Sequence, residues 1–253
     1  MSSHRFFLQD PLPSEDGAVE LPLSVADRHH ACDVLRVRPG EEVVVVAPEG
    51  AAYRVRLHAI TTESVSGAVV ARVEVPRVPR VWLVQGLAKG EKMDLVVRMA
   101  TELGVERIVP LVTSRAVVRL DAERAEGRVA RWRRIAQSAA EQAQLVRVPV
   151  IAPPADVSKL LSVLAGAGLV LVAWEEADGA PGIPAAVASA GVVSGPVAVV
   201  VGPEGGFARE EVELLVDGGA RVVSLGQTVL RTETAGAVAS ALALAALGGL
   251  GGQ

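Results

Sequence analysis

Aromatic side chains are scarce in this 253-residue chain: three Phe, three Trp and one Tyr, 3% of the total. A core built from them must therefore be mainly Val, Leu and Ala. Cysteine is nearly absent as well. Cys32 is alone, which excludes an internal disulfide, and no Cys/His spacing of the zinc type is present, so no metal is expected. Cys32 reads as a small, partly buried side chain. The opening Met1-Ser2-Ser3-His4-Arg5 lacks the apolar run of a signal peptide. The Ala/Leu segment from Ala235 to Leu250 is short for a membrane span and is broken by Gly236, Ser240 and Gly248. It reads as a buried helix, and the expectation is a cytoplasmic protein with no membrane partner. Internal repeats and a Walker loop are also missing. What is present is apolar residue in quantity, 50% against 21% charged, enough for a substantial core in one or two domains.

The formal charge of −4 does not by itself suggest a nucleic-acid binder, but its distribution is uneven. Residues 1–80 carry net −2, residues 81–150 net +4 and residues 151–253 net −6. A basic middle between acidic ends is compatible with a local face for a polyanion.

Residues 1 to about 75 read as β-rich. Val43 to Ala47 is an apolar run after the Pro39-Gly40 turn, and Tyr53 to Leu57 alternates as a half-buried strand does. Val69 to Val75 alternates over its second half. Short strands with turns between them suggest a small barrel. His29 to Arg36 fits one short helix. His29 and His30 face different sides of it and lack a third ligand, which argues against a metal role. Pro76-Arg77-Val78-Pro79-Arg80 marks a stiff linker, residues 76–80, between this domain and a second one over 81–253.

After the linker, Val81 to Val84 reads as a strand. A helix follows Lys89-Gly90-Glu91-Lys92, with Met93, Val96, Val97, Ala100 and Leu103 on one face and Gly104 at its end. Arg107 to Val112 is the next strand, and strand–helix–strand order implies a parallel α/β sheet. A long helix is predicted from about Ala122 to Leu145, striped by Val129, Trp132, Ala136, Ala139 and Ala143. Residues 119–147 hold seven arginines and four acids. Arg124, Arg128 and Arg131 recur at helical spacing: they form either an ordinary solvated face or a row that tracks phosphates. Leu169 to Ala173 is a buried strand leading to Trp174-Glu175-Glu176. Asp178 to Pro196 reads as a connection of low information.

The densest stretch runs from Val197 to about Ala246. Val197 to Val201 reads as a buried strand that breaks into Gly202-Pro203-Glu204-Gly205-Gly206. A short acidic helix, a strand from Arg221 to Leu225 and a second turn at Gly226 follow. Leu230-Arg231-Thr232-Glu233-Thr234-Ala235 then leads into an alanine-rich helix. The two glycine-broken strand ends are expected side by side at one edge of the sheet. They are either tight connections only, or loops that let backbone N–H and C=O groups reach a ligand beyond the strand ends, with Trp174 adding a third loop.

The words Gly202-Pro203-Glu204-Gly205-Gly206-Phe207, Leu225-Gly226 and Leu230 to Ala235 closely resemble the cofactor-binding end of the SPOUT methyltransferases. Within these the chain resembles the 16S ribosomal RNA uracil-N3 methyltransferases. Lys89-Gly90, Met93-Asp94, Thr101 to Gly104, Ser114-Arg115 and Glu141-Gln142 extend the resemblance. His4 to Phe7 and His29 to Arg36 extend it more loosely to a PUA-like barrel that contacts RNA. The sequence departs from the family where Met99 replaces a lysine, with Arg98 beside it, and where Leu145 replaces an arginine.

The resemblance implies a parallel α/β methyltransferase domain tied in a trefoil knot and preceded by the PUA-like barrel. It also implies S-adenosylmethionine as cofactor, 16S ribosomal RNA of the small subunit as partner, and a homodimer. Cofactor-binding residues would be Gly202, Pro203, Glu204, Gly205, Gly206, Leu225, Gly226, Leu230, Thr234, Ala235 and Trp174. RNA contacts would come from Arg5, Arg36, Arg115, Arg124, Arg128 and Arg131. Methylation at N3 of uracil makes the base anionic, so a permanently protonated forked donor suits the site, and Arg231 is placed for it. Arg231 alternatively pairs with Glu204 or Glu233. Glu233 either orients Arg231 or accepts a proton, and Thr232 can cap the following helix. Two other readings remain: a related knotted enzyme acting on another base or a ribose 2′-oxygen, and a non-catalytic RNA-binding assembly factor.

Overall fold

The computed structural model describes residues 4–75, 78–116 and 122–250. Within the expected linker, residues 76 and 77 lie outside that set. The chain forms two compact units, each with its own core: residues 1–77 with 140–147, and residues 78–139 with 148–253. The end of the long helix and the segment after it thus belong with the N-terminal unit, which a boundary drawn at the prolines does not anticipate.

In the N-terminal unit, β1 (Arg5–Phe7), β2 (Ala18–Glu20), β3 (Glu42–Val46), β4 (Ala52–Ile60) and β5 (Val65–Val73) form one sheet in the order β1-β3-β4-β5-β2. Only β1 and β3 are parallel. Alternation along β3 sends Val43 and Val45 into the main core with Phe6, Val55 and Leu57, while Val44 and Val46 pack with Ala52 on the other face. The predicted short helix over His29 to Arg36 starts earlier. It is α1 (Val25–His29), capped by the Ser24 hydroxyl, and continues as a π-helical turn, His30–Val34. Arg36 lies beyond it at φ +52°.

The second unit is a parallel sheet of β6 (Val81–Gly86), β7 (Arg107–Val112), β8 (Val150–Ile151), β9 (Ala155–Asp156), β10 (Leu169–Ala173), β11 (Val197–Val201) and β12 (Arg221–Val223). The order is β12-β10-β11-β6-β7-β8, with β9 also on β7. Its helices are α2 (Lys92–Glu102), α3 (Ala122–Gln142), α4 (Val157–Leu164), α5 (Ile183–Ala190), α6 (Arg209–Asp217) and α7 (Thr232–Ala246).

The central strands are apolar on both faces because both are covered. Leu83, Val197 and Val199 enter a core with Met93, Val97, Trp132, Ala239 and Ala243. Trp82, Val84, Ala198 and Val200 enter another with Leu160, Val212 and Leu215. Burying each Val or Leu contributes about 1.5–3 kcal/mol, so the Val/Leu/Ala composition suffices without many rings.

Three sequence expectations are corrected here. The strands ending at Val201 and Val223 are not neighbours, because β10 lies between them and pairs with both. Asp178 to Pro196 is more than a connection, since it contains α5; Pro184 sits in its first turn, where a missing N–H costs nothing. The long helix stops at Gln142, followed by Gln144 at φ +55°.

Candidate active site

The interposed β10 determines the site. The loops leaving β10, β11 and β12 share one end of the sheet, so that Trp174-Glu175, Gly202 to Gly206 and Ser224 to Arg231 enclose a cavity of about 440 Å³ with the first turns of α2 and α7. This is within the range of small-molecule pockets. Ala173, Val201, Leu225, Leu230 and Ala235 supply apolar wall; Lys92, Glu204 and Arg231 supply charge.

Two glycines allow these loops to approach. A Cβ on Gly86, at the end of β6, would lie 2.2 Å from the Pro203 backbone nitrogen, so only glycine lets the β11 loop rest on that strand. Gly206 has φ +64°, and a Cβ there would lie 2.2 Å from Glu175 Oε1, which places the Glu175 carboxylate directly against the β11 loop. Beneath the loops Gln85 is fully buried. Its Nε2 donates to Thr232 Oγ1 at 2.8 Å, and the Thr232 hydroxyl donates to the Gly202 carbonyl at 2.5 Å.

Charge at the rim is arranged around Lys92. Its Nζ lies 3.0 Å from Glu204 Oε1 and 3.4 Å from Glu233 Oε2. Glu204 Oε1 also accepts the Lys89 backbone N–H at 3.1 Å. Burial opposes ionisation of Glu204, but backbone N–H donors and the Lys92 ammonium outweigh it and hold the carboxyl below its usual range. Hydrogen bonding to Glu204, with Glu233 second, holds the Lys92 ammonium above its usual range. Arg231 is the residue before α7, is exposed, lines the cavity, and has neither an ion pair nor a side-chain hydrogen bond among the described residues. The sequence allowed it to pair with Glu204 or Glu233; the structure gives both carboxylates to Lys92.

Of the residues expected at the cofactor, Trp174, Gly202, Pro203, Glu204, Gly206, Leu225, Gly226, Leu230 and Ala235 line the cavity, as does Arg231. Gly205 does not: it turns away, and a Cβ there would meet the Arg115 carbonyl at 3.0 Å. Thr234 is exposed on the first turn of α7 and Glu233 meets Lys92; neither lines the cavity. Thr232 does not cap α7 from outside; it is the first residue of the helix and its hydroxyl is spent on Gly202. Lys92 and Glu175 were missed. The signal for Lys92 was its place between Lys89-Gly90 and Met93-Asp94, at a helix start.

Trp174 carries a buried indole N–H with no partner among the described residues, and the Arg209 guanidinium lies over its ring, 5.2 Å from the centroid. An orphaned buried donor beside an apolar cavity is what a polar ligand atom would satisfy. Among the described residues no cluster of three or more His, Cys, Asp or Glu could hold a metal ion, and no helix is long and apolar enough to cross a membrane.

The arginines assigned to RNA divide. Arg36, Arg115 and Arg124 are exposed and Arg128 is partly exposed. Arg131 is engaged: its Nε donates to Asp94 Oδ2 at 2.8 Å, while Asp94 Oδ1 accepts Trp132 Nε1 at 3.1 Å, which pins α3 to α2. Arg5 is partly buried, donates to the Gln144 carbonyl, and is held below the usual arginine range by that burial. Both side chains thus have partners within the protein, unlike a row of freely solvated arginines.

The glycine-bearing loops beyond three ends of the parallel sheet make a small-molecule pocket, and the family matches give the class, an RNA methyltransferase. Residues 76–244 match the family described as an RNA methyltransferase domain, and residues 23–70 match the RNA methyltransferase PUA domain. The chain belongs to the ribosomal RNA small subunit methyltransferase E family. It is 37% identical over 238 residues to the protein of that name from Mycobacterium bovis, covering 92% of this chain and 88% of that one. It is 30% identical over 235 residues to the Bacillus subtilis protein, covering 91% and 92%. The crystal structure of the Neisseria gonorrhoeae protein bound to S-adenosyl methionine superposes with a TM-score of 0.81 at 29% identity, covering 95% and 96% of the two chains.

Proposed function

We propose that this chain transfers a methyl group from S-adenosylmethionine to N3 of a specific uridine in 16S ribosomal RNA. The observation that carries the reading is the cavity beyond β10, β11 and β12, apolar in its wall, with the unpaired Arg231 at its rim. The family membership supports the reaction class and the cofactor.

When bound, the cofactor supplies an electrophilic methyl on a sulfonium that leaves as a neutral thioether, so no metal is needed. The protein's part is to hold both reactants in line and to stabilise charge as it develops. In this reading backbone groups of Gly202, Gly206, Leu225 and Leu230, with the Trp174 indole N–H, bind the donor; their place in the cavity lining supports it. Loss of the N3 proton to solvent water leaves the uracil ring negative, and Arg231, permanently charged and unpaired among the described residues, can donate to it in a fixed fork.

Exposed Arg36, Arg115 and Arg124 and the partly exposed Arg128 serve the RNA backbone in this reading. The reading includes the knotted threading, the homodimer and the cytoplasmic location that the family resemblance implies. The test is nucleoside analysis of 16S RNA from cells lacking the gene. The reading expects loss of 3-methyluridine at one position and its return on complementation. An unchanged 3-methyluridine content, or loss of a ribose 2′-O-methyl group instead, would overturn it.

A further inference from the structure

We propose that Lys92 is a positioning residue for Arg231, acting by occupying the two carboxylates that would otherwise capture it. The inference rests on the reading above, in which Arg231 works on the substrate base. Three cationic or anionic groups share the cavity rim, Lys92, Glu204 and Arg231, and Glu233 stands two residues from Arg231 on the first turn of α7. Two carboxylates, Glu204 at the rim and Glu233 beside it, attract whatever cation is near. The Lys92 ammonium lies 3.0 Å from Glu204 and 3.4 Å from Glu233, and each of these contacts joins a different segment: the loop after β11 and the start of α7. Lys92 is itself fixed at the first position of α2, where the backbone N–H of Lys89 shares the same Glu204 oxygen.

The division of labour follows from the chemistry of the two cations. An ammonium is a compact point charge with three donors that can satisfy two carboxylates at once; a guanidinium matches one carboxylate in a bidentate fork. Without Lys92, Arg231 at the same rim becomes available to Glu204 or Glu233, and a fork bound to a carboxylate is lost to a uracil oxygen. The lysine thereby leaves the arginine exposed and unpaired, as the structure shows it.

The test uses the full-length protein and four variants: Lys92→Met, Lys92→Arg, Lys92→Met with Glu204→Gln and Glu233→Gln, and Arg231→Ala. Lys92→Met is expected to lower the single-turnover methylation rate by about tenfold to a hundredfold, as misplacement of a reacting group does. The triple variant should restore most of it, because removing the carboxylates removes the competitors, whereas Lys92→Arg, whose fork takes one carboxylate, should restore only part.

A second readout needs no cofactor. Modification of Arg231 by phenylglyoxal, followed by mass spectrometry on the protein alone, should slow in Lys92→Met and recover in the triple variant. Equal modification rates in wild type and Lys92→Met would overturn the proposal, as would a triple variant that stays as slow in turnover as Lys92→Met. Wild-type turnover by Arg231→Ala would instead sink the catalytic reading of Arg231, and leaves the phenylglyoxal comparison to decide what Lys92 does.

Discussion

Gln85 Nε2 donates to Thr232 Oγ1 at 2.8 Å, joining the end of β6 to the first turn of α7 across 147 residues of sequence. The Thr232 hydroxyl passes the bond on to the Gly202 carbonyl, so one buried chain of polar groups fixes the floor of the cavity to two of its walls.

Removing the middle of that chain should therefore be felt in both stability and binding. Thr232→Val leaves the buried Gln85 amide with only its longer contacts to Gly86 and Gly202 carbonyls, at 3.3 and 3.5 Å. A loss of about 1–3 kcal/mol is expected for a buried polar group left poorly satisfied, read as a lower urea midpoint, with weaker cofactor binding in calorimetry. Thr232→Ser should retain both. A Thr232→Val protein as stable as wild type would show that the bond is incidental.

The glycines should separate by what stands opposite them. Gly86→Ala forces its methyl onto the Pro203 backbone, which cannot rotate away. Overpacking of this kind costs about 1–3 kcal/mol, and it should displace the loop that lines the cavity. Gly205→Ala meets only the exposed Arg115 segment, at 3.0 Å, outside the cavity. It should leave cofactor affinity nearly unchanged. The reverse order in calorimetry would mean that the cavity lies elsewhere.

The rim ion pairs carry a pH signature. The Glu204 carboxyl titrates below its usual range despite opposing burial, and Lys92 titrates above its usual range because of Glu204 and then Glu233. A carboxylate with a depressed folded pKa adds stability above its unfolded value and loses it as pH falls through the folded one. A raised ammonium adds stability below its unfolded value and loses it as pH rises through the folded one. The difference in urea midpoint between wild type and Lys92→Met should thus be level from about pH 5 to about pH 10 and shrink outside that window. A difference unchanged at pH 3 would show that Lys92 stabilises through its methylene stem alone.

Among the arginines, Arg128→Glu should weaken RNA binding and flatten its salt dependence while leaving the unfolding midpoint nearly unchanged, because its guanidinium is at a partly exposed position on α3. Arg131→Glu should lower the midpoint as well, since it places a second carboxylate against Asp94, which already holds Trp132. Binding and melting measured on the same preparations separate the two. A shared stability loss would mean that both arginines serve α3 packing.

Much of this was legible in the sequence because it depends on local pattern. The apolar runs at Val81 to Val84 and Val197 to Val201 and the glycine turns all report on neighbours close in sequence. The strand order was not legible. Nothing in Val197 to Val223 signals that β10 inserts between β11 and β12, because parallel strands of similar Val-rich composition can exchange places in a sheet without changing their own pattern. The pairing of charges at the rim was missed for a related reason. Lys92 stands 112 residues before Glu204 in sequence by the 112-residue separation of their numbers, while Arg231 is two residues from Glu233, so proximity in sequence favoured the wrong cation. Helix α5 was missed because an Ala/Gly/Pro-rich segment carries little amphipathic contrast.

The central claim is that Arg231, at the rim of the cavity beyond β10, β11 and β12, serves methyl transfer to N3 of a uridine. The most direct measurement incubates purified protein with S-adenosylmethionine and small subunits from cells lacking the gene, then quantifies modified nucleosides in a single turnover. Wild type should form 3-methyluridine at one site, and Arg231→Ala should bind cofactor nearly normally in calorimetry yet form it far more slowly, as expected when an interaction is made mainly in the transition state. Formation of 3-methyluridine by Arg231→Ala at the wild-type rate, or its absence from the wild-type reaction, would contradict the account.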